Sequence, residues 1–233
     1  MKKTKIDWCD CTVNPVVGCR NGCEYCYARK LNDRFHFVKD WRDPEFFPER
    51  LKQLNSKKPQ AVFMDSMSDF FWWSRGQVDI TYFEGIKKNP QHKYIFLTKG
   101  RSADPYQSAA REMFLWRDVD KNRLGKQIIF LGRSVTTQNM VEDTFESGKY
   151  DFLSIEPILE PITLTLNWRS PYLRLVIIGA ETGNRKGKVI PQKSWIDDIV
   201  KVCDRLKIKV FMKESLRKIM GEDFRQDKLL WRE

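Results

Sequence analysis

No stretch of this 233-residue chain approaches eighteen consecutive apolar residues, and the opening MKKTKIDW carries charge without an apolar core. From the first lack no membrane-spanning helix is expected, and from the second no secretory signal. The expectation is a cytoplasmic protein with no membrane partner. Linkers rich in proline, glycine or serine are also missing, while 41% apolar content is enough to bury one good core. A single domain over residues 1–233 is therefore expected. Histidine is scarce: His36 and His92 are the two, neither has a partner pattern, and both read as surface or packing residues rather than metal ligands.

Acidic residues are short of the basic ones, 31 against 42, which gives a net charge of +11. The excess is uneven. Residues 1–60 hold 13 basic and 8 acidic side chains, 61–184 hold 15 of each, and 185–233 hold 14 and 8. Basic ends attract polyanions, which suits a nucleic-acid or nucleotide partner. A lysine-rich solvated surface has the same composition, so charge alone leaves both readings open.

Cysteine is what the chain has in an unusual place. Five of its six cysteines precede residue 27, and Cys19, Cys23 and Cys26 form a CxxxCxxC run in GCRNGCEYCYA. In a reducing compartment such crowding points to metal or redox chemistry rather than disulfides. Three thiolates in one tight loop can hold three irons of a 4Fe-4S cluster and leave the fourth iron open to a small molecule. Structural zinc competes, since Cys9 or Cys11 could supply the fourth ligand it prefers. Cys9 and Cys11 could also join Cys203 in a second cluster, or carry a thiol into an active site. Against the former, Cys203 is in helical phase with Ile196, Ile199 and Val200, where a cysteine serves as a small hydrophobe.

Beyond this loop, short apolar runs recur: Ala61–Ser66, Tyr94–Lys99, Ile128–Val135, Phe152–Glu156, Leu173–Gly179 and Val210–Lys213. Such runs fit strands of a parallel sheet covered by helices. Helical period fills the gaps, with Tyr82, Phe83 and Ile86, then Met140, Val141, Thr144 and Phe145, then Ile196 to Leu206, and Ser194 with Asp197 reading as a capping box. With Val16–Val17 as a short first strand there are six or seven βα units. That is few for a closed eight-stranded barrel, so the expected class is α/β, a partial, open (β/α) barrel of about six parallel strands. Nearly every run ends in polar residues: Asp65, Ser66, Ser68 and Asp69; Thr98 and Lys99; Ser134, Thr136 and Thr137; Glu156; Glu181 and Thr182; Lys213 and Glu214. In parallel barrels the active site is built at the carboxyl ends of the strands, so these side chains are expected to converge there.

CxxxCxxC followed by Tyr27-Ala28, with Tyr25 before the third cysteine, resembles the cluster motif of the radical SAM superfamily. That resemblance implies a 4Fe-4S cluster on Cys19, Cys23 and Cys26. It further implies S-adenosylmethionine cleaved by one electron to a 5′-deoxyadenosyl radical, and a partial TIM barrel. The strings KIDW, NPVVGC, CEYCYA, FMDSMSDFF, FLTK, LGRSV, FLSIEPIL, VIIGAETG and FMK, in this order, resemble a family of short radical-SAM-like proteins common in phages and prophages, mostly of undefined function. By position in that fold, Ser66, Ser68 and Asp69 would meet the methionine amino group and Lys99 its carboxylate. Ser134 would meet the ribose, backbone at Tyr25 the adenine, and Glu156 either S-adenosylmethionine or substrate. Glu156 and Lys213 stand as catalytic candidates beside the cluster thiols. An electron donor such as flavodoxin or ferredoxin is implied. The reaction subtype stays open among isomerase, transferase and oxidoreductase.

The chain departs from that pattern at Cys9 and Cys11, at Val13 where tryptophan is common, and at Lys213-Glu214-Ser215 where Lys-Gln-Trp is common. The last two differences put a shared substrate in doubt. The leading expectation is an enzyme that modifies or rearranges a nucleic-acid base or nucleotide, from the basic ends, the phage association and the aromatic run Phe70-Phe71-Trp72-Trp73, which could stack on bases or pack in the core. The alternatives are a peptide or small-metabolite substrate for the same chemistry, and a non-catalytic, metal-stabilised nucleic-acid-binding module. The segment Asp118–Lys126 reads as a solvated mixed-charge loop.

Overall fold

The computed structural model describes residues 4–70, 80–100, 117–118, 124–147, 150–165 and 172–233. The fold is mixed α/β with an open sheet of seven strands. Their order is β1 (Cys11–Val13), β4 (Ala61–Met64), β5 (Lys93–Thr98), β6 (Ile129–Val135), β7 (Phe152–Ile155), β8 (Leu175–Ile178) and β9 (Lys209–Met212). A separate ribbon pairs β2 (Val16–Val17) antiparallel with β3 (Glu45–Phe46). The chain forms two compact units, Met1–Phe130 and Leu131–Glu233.

In the first unit β1, β4 and β5 pair in parallel. The first sheet strand is therefore Cys11–Val13 and not the expected Val16–Val17, which belongs to the ribbon. The reason is local. Cys11 and Val13 are buried on either side of half-exposed Thr12, the period-2 signature of a strand. Asp10 locks the register, its Oδ2 accepting the Ala61 N–H at 2.7 Å while its own N–H donates to the Ala61 carbonyl at 2.8 Å. β4 stops at Met64, two residues before the expected end, because Asp65 takes a left-handed φ of 54° and turns the chain out of the sheet. Helix α2 (Ile80–Lys87) buries Tyr82, Phe83 and Ile86, as their spacing predicts. Phe70 packs edge-on against Phe96 at 6.0 Å in the core; Phe71, Trp72 and Trp73 lie outside the described residues.

In the second unit β6 to β9 pair in parallel, each with the next. Helix α3 (Gln138–Ser147) precedes β7 and helix α4 (Lys193–Leu206) precedes β9. Ile196, Ile199 and Cys203 of α4 enter one apolar cluster with Val135, Ile155, Val176 and Val210. Burying each large aliphatic side chain there contributes about 1.5–3 kcal/mol. Cys203 is fully buried and its thiol is pushed up to about 12 by that burial, so it serves as a packing residue. The expected capping box fails: the cap residue is Gln192, and Asp197 instead accepts from Lys193 Nζ at 2.9 Å. In the segment Asp118–Lys126, expected to be a loop, Asp118 and Leu124 are helical; Asp118, Gly125 and Lys126 are exposed, and residues 119–123 lie outside the description. Among the described residues no helix is long and apolar enough to cross a membrane.

Candidate functional site

The cysteine loop leaves the ribbon at Gly18, whose position tolerates no side chain. Its φ is +114°, and a Cβ there would lie 2.8 Å from Pro44 Cα and 3.0 Å from the Trp41 carbonyl oxygen. Gly18 N–H donates to the Met67 carbonyl at 3.0 Å and Cys19 N–H to the Trp41 carbonyl at 2.7 Å. These bonds hold the first thiol against the segment that follows β4. At the other end Cys26 caps α1 (Tyr27–Phe35), its Sγ accepting the Arg29 N–H at 3.3 Å. A thiol at a helix N-terminus feels the positive end of the helix dipole. Cys19, Cys23 and Cys26 are all half-buried, and among the described residues no cysteine pair forms a disulfide. The Cys19 thiol is pushed up to about 12, first by burial and then by the Asp69 carboxylate, with Cys23 and Cys26 adding to the rise. Cys23 and Cys26 therefore both lie within electrostatic reach of Cys19.

Two buried carboxylates organise the surroundings. Asp69 accepts from Asn21 Nδ2 at 2.6 Å, from the Thr98 hydroxyl at 2.6 Å and from the Lys99 N–H at 2.7 Å. It ties the middle of the cysteine loop to the end of β5. Asp65 accepts the Val16 N–H at 2.7 Å and the Tyr82 hydroxyl. Its carboxyl is pushed up to about 7 because the cost of burying the charge outweighs the help from Tyr82, Val16 and Arg50. Asn14 completes the frame: its Oδ1 accepts from the Ser66 hydroxyl at 3.0 Å and from the Met67 N–H at 3.1 Å. Ser68 bridges to Gly18 across the same turn. The Lys99 ammonium stands 5.8 Å from the Tyr25 ring centroid, which sets a cation over the loop's aromatic face.

The structure therefore gathers Cys19, Cys23, Cys26, Tyr25, Ser66, Ser68, Asp69 and Lys99 in the first unit. Ser134, Glu156 and Lys213 belong to the second. Ser134 is buried on β6, in register with Ser154. Glu156 and Lys213 form a half-buried ion pair. The pair crosses Gly179, where a Cβ would come 2.9 Å from Lys213 Cδ and 3.3 Å from Glu156 Cγ. Other strand-end residues are engaged locally. Glu181 forms a two-bond pair with Arg185 at 2.6 and 2.8 Å, which holds its carboxyl below the usual range. Thr182 and Glu214 are exposed, and Glu214 pairs with Arg217. His92 is fully buried, its Nδ1 accepting the Gln60 N–H at 3.2 Å while Nε2 meets the Leu54 carbonyl at 2.8 Å. It is a packing residue, as expected.

Asn14, Asn21, Thr98 and Tyr82 carry this frame, and of these the sequence alone points to Thr98 as a strand end and to Tyr82 as one face of a helix. The string Asn14-Pro15 and the turn pair Asn21-Gly22 are the signals that point to the other two. As a donor set, three soft thiols on one half-exposed loop fit a 4Fe-4S cluster. Among the described residues no three His, Cys, Asp or Glu side chains already converge as a metal site.

These features define an α/β protein with an open sheet and a cysteine loop held beyond its first strand. The model of a family described as a protein of unknown function, DUF5131, matches residues 3–223, and the chain belongs to that family. No curated protein and no solved structure matches it.

Proposed function

We propose that this chain is a radical SAM enzyme built on a partial (β/α) barrel, with Cys19, Cys23 and Cys26 holding a 4Fe-4S cluster and a nucleic-acid base or nucleotide as substrate. The observation that carries the reading is the cysteine loop itself: three half-buried thiols on one loop, pinned at both ends and backed by the Asp69 bonds. When bound, the cluster would supply the electron that cleaves S-adenosylmethionine reductively. The chain's own residues bind and orient. Lys99 sets a positive charge beside the loop where a carboxylate would be neutralised. The Ser66 hydroxyl, which donates to Asn14, keeps its oxygen lone pairs for an ammonium donor. Asp69 spends its carboxylate on fixing the loop, so its contribution is to hold the thiols and only secondarily to meet a ligand. In the second unit Lys213 Nζ donates to Glu156, a charge pair suited to contacting a polar substrate. The basic ends of the chain support the choice of a polyanionic substrate.

Anaerobic reconstitution with iron and sulfide tests the cofactor. A brown protein with about four irons that forms 5′-deoxyadenosine from S-adenosylmethionine on reduction is the expected result. Cys23→Ala should lose the iron and Cys203→Ala should keep it. A colourless protein holding zinc would end the proposal.

A further inference from the structure

Helix α1 follows the cysteine loop directly, and it buries little. Ala28 and Asn32 are its buried residues, while Tyr27, Leu31 and Phe35 are 52%, 38% and 54% exposed. Spaced four apart, these three make one line along the helix. Phe37, 41% exposed, extends it beyond the helix end, its ring 5.8 Å from that of Phe35. The outward placement is fixed by the fold. Asn32 accepts the Val38 N–H at 3.0 Å and donates to the Val38 carbonyl at 3.2 Å, and His36 turns the chain in a left-handed conformation. Val38 is thereby buried while Phe35 and Phe37 stay in solvent. At about 100° per residue, Lys30 and Arg34 fall within roughly 60° of Tyr27 on the side away from Ala28 and Asn32. Arg34 lies 5.0 Å over the Phe35 ring. An amphipathic helix normally turns its apolar line to the core. Here the aromatic line faces out and is edged with cations, and exposed patches of that kind mark interaction sites.

We propose that α1 is a docking stripe for single-stranded nucleic acid, with Tyr27, Phe35 and Phe37 as stacking platforms for bases and Lys30 and Arg34 as phosphate contacts, leading the strand to the Cys19–Cys26 loop. The inference rests on the reading of the substrate as nucleic acid and adds where and in what form the polymer is held. Charge complementarity and ring exposure together select this occupant. A purely apolar partner would not call for the flanking cations, and a duplex hides the base faces that exposed rings stack on. From Tyr27 to Phe35 the helix rises about 12 Å, room for more than one base along the line.

The test is fluorescence anisotropy with the full-length protein, using labelled single strands of about 15 nucleotides, DNA and RNA, beside a duplex of the same length, at about 50 and about 200 mM salt. The single strands should bind better than the duplex. Phe35→Ala and Phe37→Ala should each weaken single-strand binding by at least about five-fold, Phe35→Trp should retain it, and Arg34→Gln should lower the salt slope by about one. Lys201→Ala on α4 is the control and should change affinity little. Circular dichroism melts confirm folding, which truncating exposed rings leaves intact. If the wild type binds single strands and the α1 variants bind equally well, the stripe is wrong while the nucleic-acid reading stands. If the wild type binds neither strand nor duplex at low salt, both fall. If the variants turn a dimer into a monomer without changing oligonucleotide affinity, the face belongs to a second copy of the chain and the proposal is overturned.

Discussion

Asp65→Asn exchanges one buried acid for its neutral isostere and leaves the turn after β4 in shape. Asn tolerates the left-handed φ of 54° at least as well as Asp. Its Oδ1 can still accept the Val16 N–H, and its Nδ2 can donate to the Tyr82 oxygen where the carboxylate accepted from that hydroxyl. Packing is thus preserved and the titration removed. In the wild type the carboxyl sits at about 7, against an ordinary 3.8, chiefly because burial disfavours the anion. Below the ordinary value both folded and unfolded chains carry the proton and the group adds no pH dependence. Between the two values the unfolded chain has lost the proton and the folded chain has kept it, so stability falls as pH rises. Three pH units at 1.36 kcal/mol each come to about 4 kcal/mol. Above about 7 the loss is complete.

Urea unfolding at several pH values across that window, for wild type and variant in parallel, measures this. The Asn variant should gain on the wild type by about 3–4 kcal/mol between pH of about 4.5 and about 7.5. His92, whose pKa burial lowers, works in the opposite sense, since the folded chain refuses a proton that the unfolded chain takes below about 6.5. It is present in both proteins and cancels in the difference. Carboxylates held low by ion pairs, such as Glu181 and Asp227, lose their contribution on the acid side of the window and cancel likewise. A wild-type-to-variant difference that stays constant with pH would refute the reasoning, because it would mean that the bonds from Tyr82 and Val16 already hold an anion.

Gly18→Ala should cost about 2–3 kcal/mol by overpacking, since its Cβ would meet backbone at Pro44 and Trp41; an unchanged urea midpoint would show that the loop entry can shift at no cost. Asp69→Asn sets an amide NH2 against a donor that the carboxylate satisfied, at about 1–3 kcal/mol, and should lower the iron retained after reconstitution; a variant with full iron and full stability would mean that Asn21, Thr98 and Lys99 do not depend on it. Lys213→Met removes the ammonium from half-buried Glu156 and should cost about 1–2 kcal/mol, with Glu156→Gln added on top costing less than it does alone; additive costs in that double-mutant cycle would show no coupling across Gly179.

Residues whose role is local were legible. The apolar runs that become β4 to β9 read correctly because each is a short buried strand, and Tyr82, Phe83 and Ile86 read correctly because a helix repeats its face every three to four residues. β1 is hard to read because its core-facing Cys11 belongs to a residue type that also ligates metals, while two valines nearby offer a more conventional strand. The cysteine loop was legible from spacing, whereas its frame was not. Asp65 meets Val16 across 49 residues and Asn14 meets Ser66 across 52, and no local pattern encodes pairings at that distance. The Ser194–Asp197 box failed for a related reason, since Lys193 gave Asp197 a charged partner one residue nearer the helix start.

The two ends of the cysteine loop are held by different means, and this bears on how a cluster could be taken up. Cys19 is fixed through backbone bonds to Trp41 and, one residue earlier, to Met67, so moving it breaks ordered structure on both sides. Cys26 is fixed by α1, whose first turn it caps. Between them Gly22 has a positive φ and open space where a Cβ would point, while its neighbours are engaged: Arg20 Nε donates to the Arg42 carbonyl at 3.2 Å, Asn21 donates to Asp69, and the Tyr25 ring faces Lys99. Three thiols brought to one metal group would therefore converge by adjustment around Gly22 and Cys23, with the ends of the loop staying in place. The aromatic face of α1 is attached to the loop through Cys26, which caps its first turn, while Asn32 fixes the far end of the helix to Val38. Its position relative to Cys26 should then be the same before and after loading, so a strand held along α1 would meet the loop in either state.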